Sequence, residues 1–224
     1  MFKDIYHGSK SIIKSPIFGL GKPYNDYGLG FYCTEDIALA KEWAVEADRN
    51  GFANHYRLDM ADLKVLDLTS PEYGILNWLA ILVDNRTFDI RSDFGEEAIS
   101  YLHDNFLIDY GEYDVIVGYR ADDSYFSFAQ DFLNNAISLR TLNRAMMLGN
   151  LGKQTVLISK GSFDRLEYVD YEEALSEEYY PSKERRDRDA RAEYRQIRRR
   201  GWQKDDIYMM QIVDRELKPD DLRV

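Results

Sequence analysis

The stretch Tyr6–Pro16 reads YHGSKSIIKSP. The apolar start before it, Phe2–Tyr6, predicts a short strand. That strand runs into His7, Gly8 and Ser9, so one of only three histidines stands at a strand end beside a residue with no side chain. Glycine lets another group approach the backbone closely. A histidine next to it can donate or accept a hydrogen bond. The pair marks a candidate site, and the rest of the chain has to supply its surroundings.

Working outward, Lys10–Lys22 is rich in breakers and predicts a loop. NDYGLGFYCT, Asn25–Thr34, predicts a turn entering a short strand. Thr34 is then expected to cap a helix over Glu35–Asp48, with Ala40, Trp43, Ala44 and Ala47 at helical spacing. Strands are expected at His55–Met60, Val65–Leu68, Asp114–Gly118, Gln154–Lys160 and Leu166–Val169. Helices are expected from Ser70-Pro71 onward, over Glu96–Leu107, over Ser124–Leu133, and from a Ser138 cap to Leu148. Strands and helices mix without a steady βαβ rhythm, which argues for an α+β fold with a mainly antiparallel sheet.

The 224 residues suit one domain or one domain with an appendage. The net charge of −11 argues against a general nucleic-acid binder. Lys183–Arg200 is different, carrying +5 and leaving −16 elsewhere. Its bland reading is a solvated helix with acid-first pairs Glu184–Arg188 and Asp187–Arg191. Gly201 is expected to end that helix, and a further helix follows with Ile207, Met210, Val213 and Leu217 on one face. A lone Cys33 excludes an internal disulfide and suits a reducing cytoplasm; it reads as buried and inert. No apolar run is long enough to span a membrane. His7, His55 and His103 lack metal-ligand spacing, so no metal is expected. No Gly-rich nucleotide loop of the usual spacing is present.

Three further stretches join the YHGS start: DYGLGFYCT (Asp26–Thr34), YDVIVGYRADDSYF (Tyr113–Phe126) and LGKQ (Leu151–Gln154) entering a strand. In this order they resemble the DUF3990 family of bacterial and phage proteins, assigned to the ADP-ribosyltransferase superfamily. The resemblance covers roughly residues 1–175, leaving 176–224 as a charged helical extension packed on or beside that domain. It implies a split β-sheet binding NAD⁺ in a cleft, with no metal. His7, Tyr32 and Gln154 would occupy the family's histidine, tyrosine and glutamate positions. His7 would hold the adenosine ribose. The Gly8 backbone would pair with the nicotinamide carboxamide, and Ser9 would support the turn and stand among the NAD⁺-binding residues. Gly30 and Asp123 would join the NAD⁺ site. Tyr32 would stack on nicotinamide, with Trp43, eleven residues on, as a second ring or simply a core ring. The reaction implied is transfer of ADP-ribose to a macromolecular acceptor, protein or nucleic acid, by a toxin or conflict effector that an antitoxin would restrain. Gln154 lacks the charge that a carboxylate gives an oxocarbenium-like transition state; Asp122 or Asp123 would supply it if they face the cleft. Two other readings stay open: a binding module of the same fold without turnover, and a protein-interaction module.

Overall fold

The first strand, β1 (Phe2–Ser9), pairs antiparallel with β3 (Gly51–Asp59), from Phe2 opposite Asp59 to Ser9 opposite Phe52. β3 in turn pairs antiparallel with β7 (Leu166–Ala174), with a register shift between His55 and Tyr56. A second sheet has the order β2 (Phe31–Cys33), β6 (Lys153–Leu157), β5 (Val115–Tyr119), β4 (Val65–Asp67). Only its β4–β5 pair is parallel. The fold is therefore α+β with two mainly antiparallel sheets, in a computed structural model that describes every residue except 91, 122, 149–151, 223–224 and the side chain of Asp123.

The sheets are joined by one backbone pair. Tyr6 N–H donates to Thr34 O at 2.7 Å, and Thr34 N–H donates to Tyr6 O at 2.9 Å. Between them lies an apolar layer of Ile5, Phe31, Cys33, Tyr56, Leu58, Val115, Val117 and Leu157. Burying one such aliphatic side chain contributes about 1.5–3 kcal/mol. A larger core lies on the other face of the second sheet, under α2 (Ile75–Asn85), α3 (Asp93–Phe106), α4 (Asp123–Leu133) and α5 (Leu139–Ala145). The expected face of α4, Tyr125, Phe128, Ala129 and Phe132, is fully buried there. Ser138 does cap α5, its Oγ accepting from Thr141 N–H at 3.2 Å.

Two helix starts differ from the sequence expectation. Thr34 does not cap α1 (Ile37–Ala44), because its backbone is committed to the bridge with Tyr6. Asp36 caps instead, accepting from Ala38 N–H at 2.8 Å and Leu39 N–H at 3.3 Å. α1 also ends at Ala44, where Glu46 and Arg49 close a tight turn back into β3. Ser70-Pro71 lies in a turn rather than a helix. α2 opens later, at Gly74, where Asn77 Oδ1 accepts the Gly74 N–H at 2.9 Å.

After a short α6 (Lys160–Asp164), the basic segment forms α7 (Ser176–Arg199), and Gly201 stops it in a left-handed conformation at φ +68°. Its buried stripe is Ala190 and Tyr194. Tyr194 stacks on Phe128 at 3.9 Å and donates to Asp131 Oδ2 at 2.7 Å. Of the expected helix pairs, Asp187–Arg191 forms at 2.9 Å, while Arg188 meets Asp189 instead. A short α8 (Met209–Asp214) buries Met209 and Ile212 in the same core. Of the expected face, Ile207, Val213 and Leu217 pack against that core, while Met210 is exposed. No helix among the described residues is long and apolar enough to cross a membrane.

Candidate functional site

The site begins where the sheets part. Residues alternate sides along a strand, so a residue's N–H and C=O point the same way as those two positions on. Tyr6 points its backbone groups at Thr34, so Gly8 points its own the same way, beyond the last bridge and into the gap. Gly8 lines a cleft of about 810 Å³ there. Its missing side chain also has a packing role. A Cβ on Gly8 would fall 2.0 Å from Ala40 O and 2.9 Å from Trp43 Cβ. Glycine therefore lets α1 seat directly on β1, which carries Glu42 and Trp43 to the cleft wall.

His7 turns inward beside it. Its Nδ1 lies 2.7 Å from Tyr32 O, and its ring stacks on Phe31 at 4.3 Å. A carbonyl only accepts, so Nδ1 carries the hydrogen and Nε2 is left as the acceptor of the neutral ring. Burial pushes the His7 imidazolium below its ordinary 6.5, with the Tyr32 carbonyl opposing the shift. Ser9 is not on the cleft wall. Its Oγ donates to Ser11 O and accepts from Asn54 Nδ2 at 3.1 Å. Asn54, fully buried in β3, also donates to His7 O and Ser11 O and accepts from Ile13 N–H at 2.8 Å. This one side chain knits the strand end to the loop that follows. The sequence signal for it was a polar residue between Ala53 and His55 in an otherwise pairing strand.

Tyr32 is clamped by its hydroxyl, which donates to Gly28 O at 2.7 Å and accepts from Tyr27 N–H at 3.1 Å. Gly28 supplies the left-handed turn this needs, at φ +69°. Burial drives the Tyr32 phenol well above its ordinary range, so it stays protonated and offers a fixed ring rather than a base. Gly30 lines the cleft next to it, pressed on β6: a Cβ would lie 2.6 Å from Val156 Cγ1. Cys33 is fully buried as expected, and burial pushes its thiol up.

Gln154 sits on β6 opposite Gly118, with 4% exposure. Its Nε2 donates to Asp26 Oδ2 at 3.3 Å, while its Oε1 is buried without a partner among the described residues. Asp26 was quoted in the sequence but not singled out. It is 6% exposed, accepts Ala121 N–H at 2.8 Å, and is paired with Arg86 at 2.8 Å. The carboxylate at this floor is thus Asp26. Asp122 lies outside the described residues, and Asp123 opens α4, its side chain likewise outside them.

Trp43 lines the cleft with Arg120's guanidinium 4.4 Å from its ring centre. Its Nε1 is buried without a hydrogen-bond partner among the described residues. Beside it Glu42, 6% exposed, receives a bidentate pair from Arg186 of α7, at 3.0 and 2.8 Å. The basic helix therefore walls the cleft, through Lys183, Arg186 and Asp187. Lys22, Arg86 and Arg120 add to them, against the carboxylates of Asp26, Glu42 and Asp187. A chain of net charge −11 has built a pocket in which, among the described residues, cations outnumber anions, a setting that favours an anionic ligand. The loop from Ile13 to Gly30 closes the remaining side, with Ile17, Leu20 and Tyr24 exposed on it.

Two sheets joined at one end, parting around a cleft with an aromatic wall, define a two-sheet α+β protein. The chain belongs to the DUF3990 family, described as a protein of unknown function, which matches residues 3–168. Among curated proteins and solved structures nothing matches. The family match covers the cleft's floor and both sheets up to Tyr168 of β7, and ends before α7.

Proposed function

We propose that the cleft binds NAD⁺ and that the protein transfers ADP-ribose from it to a macromolecular acceptor. The observation that carries this reading is the convergence, in one gap between two sheets, of His7, the backbone of Gly8 beyond the last bridge, the clamped ring of Tyr32 and the Gln154 Oε1, which has no partner among the described residues. These residues come from three separate stretches, and they are the ones that the resemblance read in the sequence implies for NAD⁺. His7 Nε2 would accept a ribose hydroxyl. Gly8 N–H and C=O match the acceptor and donor of a carboxamide. Tyr32 would stack on the nicotinamide, with Trp43 across from it. Lys22, Arg120, Lys183 and Arg186 suit the pyrophosphate.

In the reaction the bond from ribose C1′ to the nicotinamide nitrogen breaks, and its electron pair leaves on neutral nicotinamide. The acceptor's lone pair forms the new bond at C1′, and the acceptor's proton passes to solvent. The ribose develops oxocarbenium character, which nearby negative charge stabilises. An amide at position 154 gives weaker stabilisation than a carboxylate. That favours a second reading, an NAD⁺-binding module without turnover. A protein-interaction module has no comparable observation behind it.

The test is incubation of the purified protein and its His7→Ala variant with radiolabelled NAD⁺ and bacterial lysate, followed by separate protease and nuclease digestion. His7-dependent label supports transfer, and the digestion that releases it gives the acceptor class. No label, with an NAD⁺-induced rise in melting temperature, selects the binding module, since a ligand of the folded state alone must raise it. Neither label nor a rise refutes both.

A further inference from the structure

The floor of the cleft holds a carboxylate that no ligand-facing role has yet claimed. Asp26 comes from the long loop before β2, far in sequence from β6, yet its Oδ2 receives the side-chain N–H of Gln154 at 3.3 Å. Arg86 and the Ala121 N–H fix the same carboxylate from two other directions, each at 2.8 Å. With three donors from three elements, Asp26 has no freedom to turn. Its acceptor oxygen in turn forces the orientation of the Gln154 amide, since the reversed amide would set Oε1 against a carboxylate oxygen. The Oε1 atom is therefore the one presented away from Asp26, buried and without a partner among the described residues. A buried acceptor left open requires a donor from a ligand or a bound water.

The coupling goes further than orientation. An amide whose N–H donates to an anion is polarised, and its oxygen becomes a stronger acceptor. We propose that Asp26 is the positioning residue of this cleft: it locks the Gln154 amide with Oε1 toward the ligand and lends it, through that amide, part of the negative charge that a carboxylate at position 154 would supply directly. On the NAD⁺ reading, on which the catalytic consequence rests, the donor that Oε1 awaits is a hydroxyl of the reacting ribose. The same contact explains why an amide stands at position 154. A second carboxylate there would lie within about 3 Å of Asp26, and two such groups do not both ionise.

The experiment uses Gln154→Glu, Asp26→Asn and the double variant. Melting temperature is followed first against pH without ligand. In Gln154→Glu the new carboxyl is held protonated by Asp26, so the folded state binds a proton that the unfolded chain releases above about pH 4.3. Its stability relative to wild type then falls as pH rises from there toward the raised folded value. The double variant keeps only the shallower slope that burial alone gives a carboxyl at position 154. A Gln154→Glu protein that tracks wild type across the same pH range overturns the inference. That comparison needs no second variant, so it holds even if Asp26→Asn fails to fold.

NAD⁺ turnover is then read beside the NAD⁺-induced melting shift. Asp26→Asn is expected to keep the shift and lose turnover at least ten-fold, in kcat rather than KM. The double variant recovers turnover, and Gln154→Glu alone does not at neutral pH. Unchanged kcat in Asp26→Asn, or full turnover in Gln154→Glu, overturns the positioning role. A pH slope as expected, with no NAD⁺ effect on wild type, overturns the NAD⁺ reading and upholds the contact between Asp26 and position 154.

Discussion

Replacing Arg186 by methionine tests how firmly the basic helix is tied to the cleft. The Arg186 side chain is 24% exposed and that of Glu42 8%, and they meet in a two-point pair. Methionine keeps most of the aliphatic stem but leaves Glu42 buried beside Trp43 without its cation. Breaking a buried pair from one side costs about 3–5 kcal/mol. Water reaching the quarter-exposed arginine position brings the expectation to the lower end, about 3 kcal/mol. For a chain of this length each kcal/mol lowers the melting midpoint by about 2–4 °C, so the loss is about 6–12 °C. Urea unfolding followed by circular dichroism gives the free energy directly. Arg195→Met, on the exposed side of the same helix, is the control and should stay within about 0.5 kcal/mol of wild type. The double variant Glu42→Met with Arg186→Met removes both charges and should recover most of the loss. The reasoning fails if Arg186→Met costs no more than the control. It fails equally if the double variant is as unstable as the single one.

Three further outcomes follow from the geometry. His7 is held neutral in the fold at pH values where the unfolded chain takes up a proton, so stability should fall as pH drops below about 6.5, by at most about 1.4 kcal/mol per pH unit for one proton; pH-dependent melting of His7→Asn should lack that component, and an identical slope counts against the buried neutral ring. Gly8→Ala drives a Cβ into the Ala40 carbonyl and should cost about 1–3 kcal/mol or more, read by denaturant unfolding, while displacing Trp43; an unchanged midpoint would mean that α1 does not seat on β1 as described. Ending the chain after residue 175 strips Ala190, Tyr194, Met209 and Ile212 from the main core. The truncated protein should elute as aggregate or lose its near-ultraviolet dichroism, whereas a monomeric native spectrum would show that α7 and α8 are dispensable.

Much of the architecture was legible because periodicity is a local signal. The α4 face and the apolar β5 core strand were marked by their own spacing. What failed was decided by distant partners. Thr34 has the chemistry of a cap, but its backbone is committed to a strand 28 positions earlier. β7 runs on to Ala174 through Asp170, Glu172 and Glu173, acidic residues that read as loop. They suit an edge strand, where charge deters further pairing. At the site, His7, Tyr32, Gln154 and Trp43 were found through resemblance, and all four line the cleft. Asp26, Asn54, Glu42 and Arg86 were missed because a buried polar residue looks like a surface one until its partner is known. Arg186 was hidden in a charge run whose outer face is solvated, as the bland reading held.

The single pair joining Tyr6 to Thr34 gives the cleft the form of a wedge. At the apex, the separation between β1 and β2 is set by two backbone hydrogen bonds and leaves little latitude. Toward the mouth, the walls are a long loop and the side chains of α7, neither tied across the gap by strand pairing. On the NAD⁺ reading proposed above, such a shape would admit a flat ring near Gly8 and Tyr32 and leave the charged parts toward the loop and α7, where Lys22, Lys183 and Arg186 line the cleft.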